Sequence, residues 1–177
     1  MRSFTIISTL LIALLPIVSA WSCLSDSDAQ YVVDQSIVVI KHPDVDAARQ
    51  AGLALYAPNV IVNGDSINVL NDVPLGTTVY SNITAYLDDT LSIQGPSEVN
   101  VIAIVHDCSS LVWFWEFIGV GGPTAARVRG MTYTQVNADK QVISENVEFN
   151  SLTWAENLGF TVTPPAGGEK VKREWKA

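Results

Sequence analysis

The chain is poor in the residues from which most catalytic centres are built. Only two histidines and two cysteines occur in 177 residues, so a histidine-based triad is hard to assemble. His42 precedes a proline in a loop and His106 ends an apolar run beside Asp107; as lone histidines, each reads as structural or solvated rather than as a general base. The signatures HExxH, CxxC, GxSxG and the Walker loop are missing, so neither a metal nor a cofactor is expected. Gly119-Val120-Gly121-Gly122 resembles part of a dinucleotide fingerprint, but it runs through Pro123 into another strand-like segment and reads as a hairpin loop. Basic residues are scarce as well: 10 Lys and Arg face 18 Asp and Glu, a net charge of −8. Such a surface repels phosphate backbones, which argues against nucleic acid as a partner.

What is present begins with a leader. Arg2, an apolar run over 4–18 and Val18-Ser19-Ala20 have the three parts of a secretory signal. The run is too short for a membrane span and Pro16 interrupts it. The expected organisation is a signal peptide over 1–20, one domain over 21–160 and a disordered tail over 161–177, opened by Thr163-Pro164-Pro165-Ala166-Gly167-Gly168. A secreted, extracellular protein follows, with no membrane span in the mature chain. An oxidising route favours pairing Cys23 with Cys108, the alternative being two free buried thiols. Asn82-Ile83-Thr84 is a glycosylation sequon, unless Asn82 or Ser81 merely caps a helix.

Helical spacing marks Ala29, Val32, Val33, Ile37 and Ile40 behind a Ser25/Asp28 capping box. A second helix runs behind Asp44 through Leu55 and Tyr56 to Pro58, and a third, short one carries Ile83, Tyr86, Leu87 and Leu91. Asn63-Gly64 between apolar triplets signals a tight hairpin or a bulge in one strand. The segments 99–105, 111–118, 125–136 and 141–149 are rich in β-branched and aromatic residues and predict an antiparallel meander. The fold class is therefore α+β, a curved antiparallel sheet of about four to six strands wrapped around three helices of the N-terminal half. Two strands are apolar on both faces, so a partner layer is expected on each side, a second subunit or the tail on one of them.

Carboxylates are the remaining chemistry. Asp65, Glu116 and Glu148 are weak catalytic candidates: each is an acid or base if it faces a cavity, and each is bland if it caps backbone or pairs with Arg127 and Arg129. Trp113 and Trp115 share a strand face, as do Arg129 and Tyr133; with Tyr56 they are candidates for lining a pocket, or for simple core.

The string Cys23-Leu24-Ser25-Asp26-Ser27-Asp28-Ala29, the stretch from Asp65-Ser66-Ile67 to Pro74-Leu75-Gly76, Asp107-Cys108 with Trp113 and Trp115, and Glu148-Phe149-Asn150-Ser151 with Trp154 resemble secreted fungal proteins of the nuclear transport factor 2-like superfamily, also called SnoaL-like. The resemblance covers Cys23 to Gly159. It implies a cone-shaped α+β fold with a deep pocket, frequent homodimers through the outer sheet face, and functions ranging from none to dehydratase, isomerase, cyclase or epoxide hydrolase on hydrophobic molecules. Members similar to scytalone dehydratase use paired histidines and an aspartate, a pattern that His42 and His106 do not meet; those similar to ketosteroid isomerase use Tyr with two acids, onto which no residue maps here. Fold leaves function open. The leading expectation is a pocket that binds a small apolar ligand without catalysis. A cofactor-free lyase or isomerase is the alternative, and a structural or host-interacting homodimer the third. A carboxylate facing the cavity near Tyr56 or Tyr133 separates the first two.

Overall fold

A computed structural model describes residues 23–162, which leaves the expected leader and all but two residues of the expected tail outside it. The first helix, α1 (Asp26–Lys41), starts as its capping box dictates: Asp28 N–H donates to Ser25 Oγ (3.2 Å) and Ser25 N–H to Asp28 Oδ2 (2.9 Å). It buries Ala29, Val32, Val33, Ser36 and Val39, while Ile37 and Ile40 pack half-buried beside them. Asp44 caps α2 (Val45–Leu55) through Ala47 N–H (3.0 Å). Gly52 gives α2 its close approach, because a Cβ there would strike Leu87.

Two expectations fail at this point. Tyr56 does not continue α2 but opens β1 (Tyr56–Asn63): Pro58 pushes Ala57 before it out of helical backbone, and Tyr56 is already extended (φ −96°, ψ 142°). Pro58 sits where the ladder of β1 skips from Tyr56 to Ile61, a gap that tolerates its missing N–H. Asn63-Gly64 makes neither hairpin nor bulge; it leads into a short helix, α3 (Asp65–Leu70). The cause is distant in sequence: the Glu148 carboxylate accepts from Asp65 N–H (2.8 Å) and Ser66 N–H (3.2 Å), satisfying orphan donors of the first turn. β2 (Thr78–Tyr80) and α4 (Ile83–Thr90) follow, α4 capped by Asn82 Oδ1 on Ala85 N–H (2.9 Å).

The period then changes to two. β3 (Glu98–His106), β4 (Ser110–Ile118), β5 (Val128–Val136) and β6 (Val142–Phe149) form the antiparallel meander, and α5 (Ser151–Asn157) closes the domain. β5 begins at Val128, not Ala125, because Ala126 is held by Asn157 through both its N–H and its C=O. The six strands form one sheet in the order β2-β1-β6-β5-β4-β3, and β1 runs parallel to β6, the one pairing outside the expected antiparallel pattern. The fold is α+β, a curved sheet with helices against its inner face. Cys23 and Cys108 are bonded, tying the start of α1 to the β3–β4 turn, where Leu24 N–H also donates to Cys108 C=O (3.1 Å).

Candidate functional site

Strand parity decides what faces what. On β5, Val128, Gly130, Thr132, Thr134 and Val136 point inward and are buried, whereas Arg129, Met131 and Tyr133 point outward. On β4, Trp113, Trp115 and Phe117 point inward. Gly130 is essential to this wall: a Cβ would meet the Trp115 ring at 2.5 Å and Phe149 Cβ at 2.6 Å. Trp115 stacks on Phe117 (centroids 3.8 Å) and donates its indole N–H to Thr132 Oγ1 (3.1 Å).

Between this wall and the ends of α1 and α4 lies a cavity of about 340 Å³, open on one side past α3, the 93–96 loop and the residues after α5. Its lining is mainly apolar, with Tyr80, Tyr86, Phe149 and Trp154 joining the β4 rings, and His42 and Asp89 among its polar members. One acid closes its inner end. Glu145 of β6 is 3% exposed, and its Oε1 accepts a hydrogen bond from the Tyr56 hydroxyl (3.2 Å). Burial pushes the Glu145 carboxyl up to about 7, and the Tyr56 hydrogen bond, with the Thr134 hydroxyl nearby, only partly offsets this. Burial also holds the Tyr56 and Tyr86 phenols well above their ordinary range, so both stay protonated donors. Nearer the mouth, Tyr80 donates to Asp89.

The expected carboxylates lie elsewhere. Glu116 is on the outer face, opposite Arg129 in register, and takes hydrogen bonds from Arg129 Nε (2.8 Å) and Arg127 (3.3 Å). The Arg129 bond, with the charges of both arginines, holds its carboxyl below the usual range. Glu148 caps α3, and Asp65 Oδ1 accepts from Gly76 N–H (2.7 Å) and Asn68 (3.2 Å); neither lines the cavity. Arg129 and Tyr133, expected in the pocket, are excluded by their outward parity. Trp113 and Trp115 do line it, and Tyr56 stands behind it as the partner of Glu145. Asn82 caps α4 and is exposed. Among the described residues no group of three His, Cys, Asp or Glu is placed to hold a metal, and no helix is long and apolar enough to cross a membrane.

Sequence reasoning passed over Glu145, although a signal existed. It shares parity with Val147 and Phe149, so an acid in phase with the apolar side of β6 marks a buried carboxyl.

Curved sheet, three packed helices and a blind aromatic cavity define the class: an α+β cone built around a pocket. The family is set by the sequence itself, since the family model for the NTF2-like domain matches residues 22–161, and the chain belongs to that family. Among solved structures it is similar to a SnoaL-like protein of unknown function from Burkholderia thailandensis, at 16% identity and a TM-score of 0.52 over 72% of this chain and 98% of that one. A steroid delta-isomerase from Pseudomonas aeruginosa gives 10% identity and 0.52 over 77% and 91%. A de novo designed NTF2 fold protein gives 13% and 0.54 over 78% and 95%. At these identities the likeness is one of fold. No curated protein matches the sequence.

Proposed function

We propose that this domain binds a small apolar ligand in the cavity, acting outside the cell. The observation that carries the reading is the open space of about 340 Å³ with many aromatic residues in its lining, within the range of small-molecule sites and unfilled by the side chains of the described residues. A purely structural domain would have closed it with core residues. The extracellular setting draws on the signal-like leader and on the Cys23–Cys108 bond. The test uses a neutral apolar dye such as Nile red: its fluorescence should rise with the protein and fall back with Val147→Trp, which fills the cavity. A folded Val147→Trp variant that still binds the dye at full strength would remove the cavity from the account.

A second reading, a cofactor-free isomerase or lyase, draws on Glu145 alone. A carboxyl near neutrality beside an apolar cavity suits proton transfer. It is the weaker reading because Asp65, Glu116 and Glu148 all face away, and the cavity's other acid, Asp89, is engaged by the Tyr80 hydroxyl.

For assembly, we propose a homodimer through the outer sheet face. Val105, Val112 and Tyr133 stand in one cross-strand row there, with Met131 beside them, all substantially exposed. The Trp-bearing face is not the contact, since the helices and cavity cover it. Sedimentation of the secreted protein as a monomer at every concentration would overturn this.

A further inference from the structure

The mouth of the cavity carries a carboxylate and, among the described residues, no cation to match it. Asp89 of α4 lines the cavity and is nonetheless exposed, so it stands at the rim, away from the inner end that Glu145 closes. Its Oδ2 accepts from the Tyr80 hydroxyl, while Oδ1 receives no hydrogen bond among the described residues. Burial and the Asp89 bond hold the Tyr80 phenol well above its ordinary range, so Tyr80 stays a donor that orients the carboxylate without neutralising it. No described lysine or arginine lines the cavity; Arg49, Arg127, Arg129 and Lys140 are all held in ion pairs elsewhere. The one basic side chain in the described lining is His42, and both of its ring nitrogens are directed at backbone carbonyls, Nδ1 at Val39 (3.1 Å) and Nε2 at Ile93 (2.7 Å). Neither nitrogen is left for a ligand anion.

Resting on the cavity as a ligand site, we infer that its ligand is a hydrophobic amine, whose apolar body lies in the cavity and whose protonated nitrogen pairs with Asp89 at the mouth. Three observations converge. Asp89 offers Oδ1 to a donor, and a pair formed at the rim keeps its charges at the edge of water, which avoids the cost of taking an ammonium into the interior. Aromatic rings flank the way in from the rim: Tyr80, bonded to Asp89, packs on Tyr86 with centroids 5.5 Å apart, and both line the cavity. A cation is drawn to the electron-rich faces of such rings, and an anion is not. The chain as a whole is acidic, with 18 Asp and Glu against 10 Lys and Arg, so its field draws cations to the mouth and turns anions away. A ligand with a carboxylate head would meet the reverse of every one of these conditions.

Three probes of one shape test this: 2-naphthylethylamine, 2-naphthylethanol and 2-naphthylacetate, titrated by calorimetry at pH 6. There the amine is protonated and the acetate ionised. Glu145, its carboxyl pushed up to about 7, holds most of its proton, so the contrast reads the rim. At low salt the amine should bind about fivefold tighter than the alcohol, the worth of one ion pair at a wet edge, and at least about tenfold tighter than the acetate. Added salt should shrink both margins. Asp89→Asn should bring the amine down to the level of the alcohol and leave the alcohol unchanged. Asp88→Asn removes the same charge one residue away, where it pairs with Arg49 outside the lining, and should leave the order of the probes intact. If the alcohol or the acetate equals the amine in the unaltered protein, or if the two Asn variants weaken the amine alike, the assignment to Asp89 is overturned while the cavity remains a binding site. If none of the three binds, the cavity reading itself fails. Should Asp89→Asn not fold, the order of the probes and its salt dependence in the unaltered protein decide alone.

Discussion

Two glutamates lie almost sealed in the same sheet, Glu116 at 5% and Glu145 at 3% exposed, and their carboxyls are shifted in opposite directions. Glu116 opens outward between two guanidiniums whose far ends reach solvent, and its carboxyl is held ionised. Glu145 faces inward, where its partner is a phenol, and burial holds it near neutrality at about 7. Little of either surface is exposed, but Glu116 is covered by the exposed arginines that neutralise it, whereas Glu145 is buried among uncharged groups, and that burial is the main cause of its shift. The outer face is built for charge to be compensated, and the inner face for charge to be absent.

The comparison breaks most completely if the inner face loses the layer that covers it. The Cys23–Cys108 bond pins α1 across the sheet, and its loop of 85 residues' separation is long. Replacing both cysteines by serine should cost roughly 4 kcal/mol in the chain-entropy account. Chemical denaturation of the two forms gives the difference.

A pH series sharpens the contrast next. Glu145 has a folded pKa raised above its unfolded value, so its contribution is complete below about 4.5 and is lost as pH rises to about 7. The stability of the protein should therefore fall across that interval by an amount on the order of 3 kcal/mol, with His106, whose pKa the Asp26 hydrogen bond raises, adding a further decline from about 6.5 upward. Glu145→Gln should flatten the slope, as followed by thermal melting between pH 4.5 and 8. Glu116 and Asp28 have lowered pKa values, so the stability they contribute is present above about 4.5 and fades only as pH falls further. The two limbs thus lie in separate windows.

Neighbours on β5 give the next effect. Gly130→Ala places a methyl against Trp115 and Phe149 and should cost about 2 kcal/mol, whereas Met131→Ala one residue on, pointing outward, should stay within about 0.5 kcal/mol in dilute monomer. Unfolding curves of both variants at low concentration decide it. Smallest of all, Glu116→Gln should leave melting at pH 7 nearly unchanged, because Arg127 and Arg129 are well exposed and return to water.

How much of this was legible follows from distance along the chain. The capping box of α1 lies within four residues, and it reads directly from the sequence. The meander was legible because each strand adjoins the next. α3 was not, since the carboxylate that nucleates it arrives from Glu148, more than 80 residues away. The pocket candidates divide by parity: Trp113 and Trp115 were read in phase, while Arg129 and Tyr133 required knowing which side of β5 is covered. Glu145 was readable in principle from Val147 and Phe149, and it was obscured by Glu148, whose setting on the same strand looked equally apolar.

The parallel pairing of β1 with β6 has a consequence for time. Tyr56 lies beside Val142 and Asn63 beside Asn146, so strands adjacent in the middle of the sheet are made at opposite ends of the domain's synthesis. A ribosome adding roughly 5–20 residues per second leaves β1 waiting several seconds for its neighbour. Until β6 emerges, β1 offers an open edge, Tyr56 has no carboxyl to donate to, and the cavity has no inner end. The nascent chain is thus open to mispairing from the completion of β1 until β6 emerges, and its cavity is completed only late in assembly.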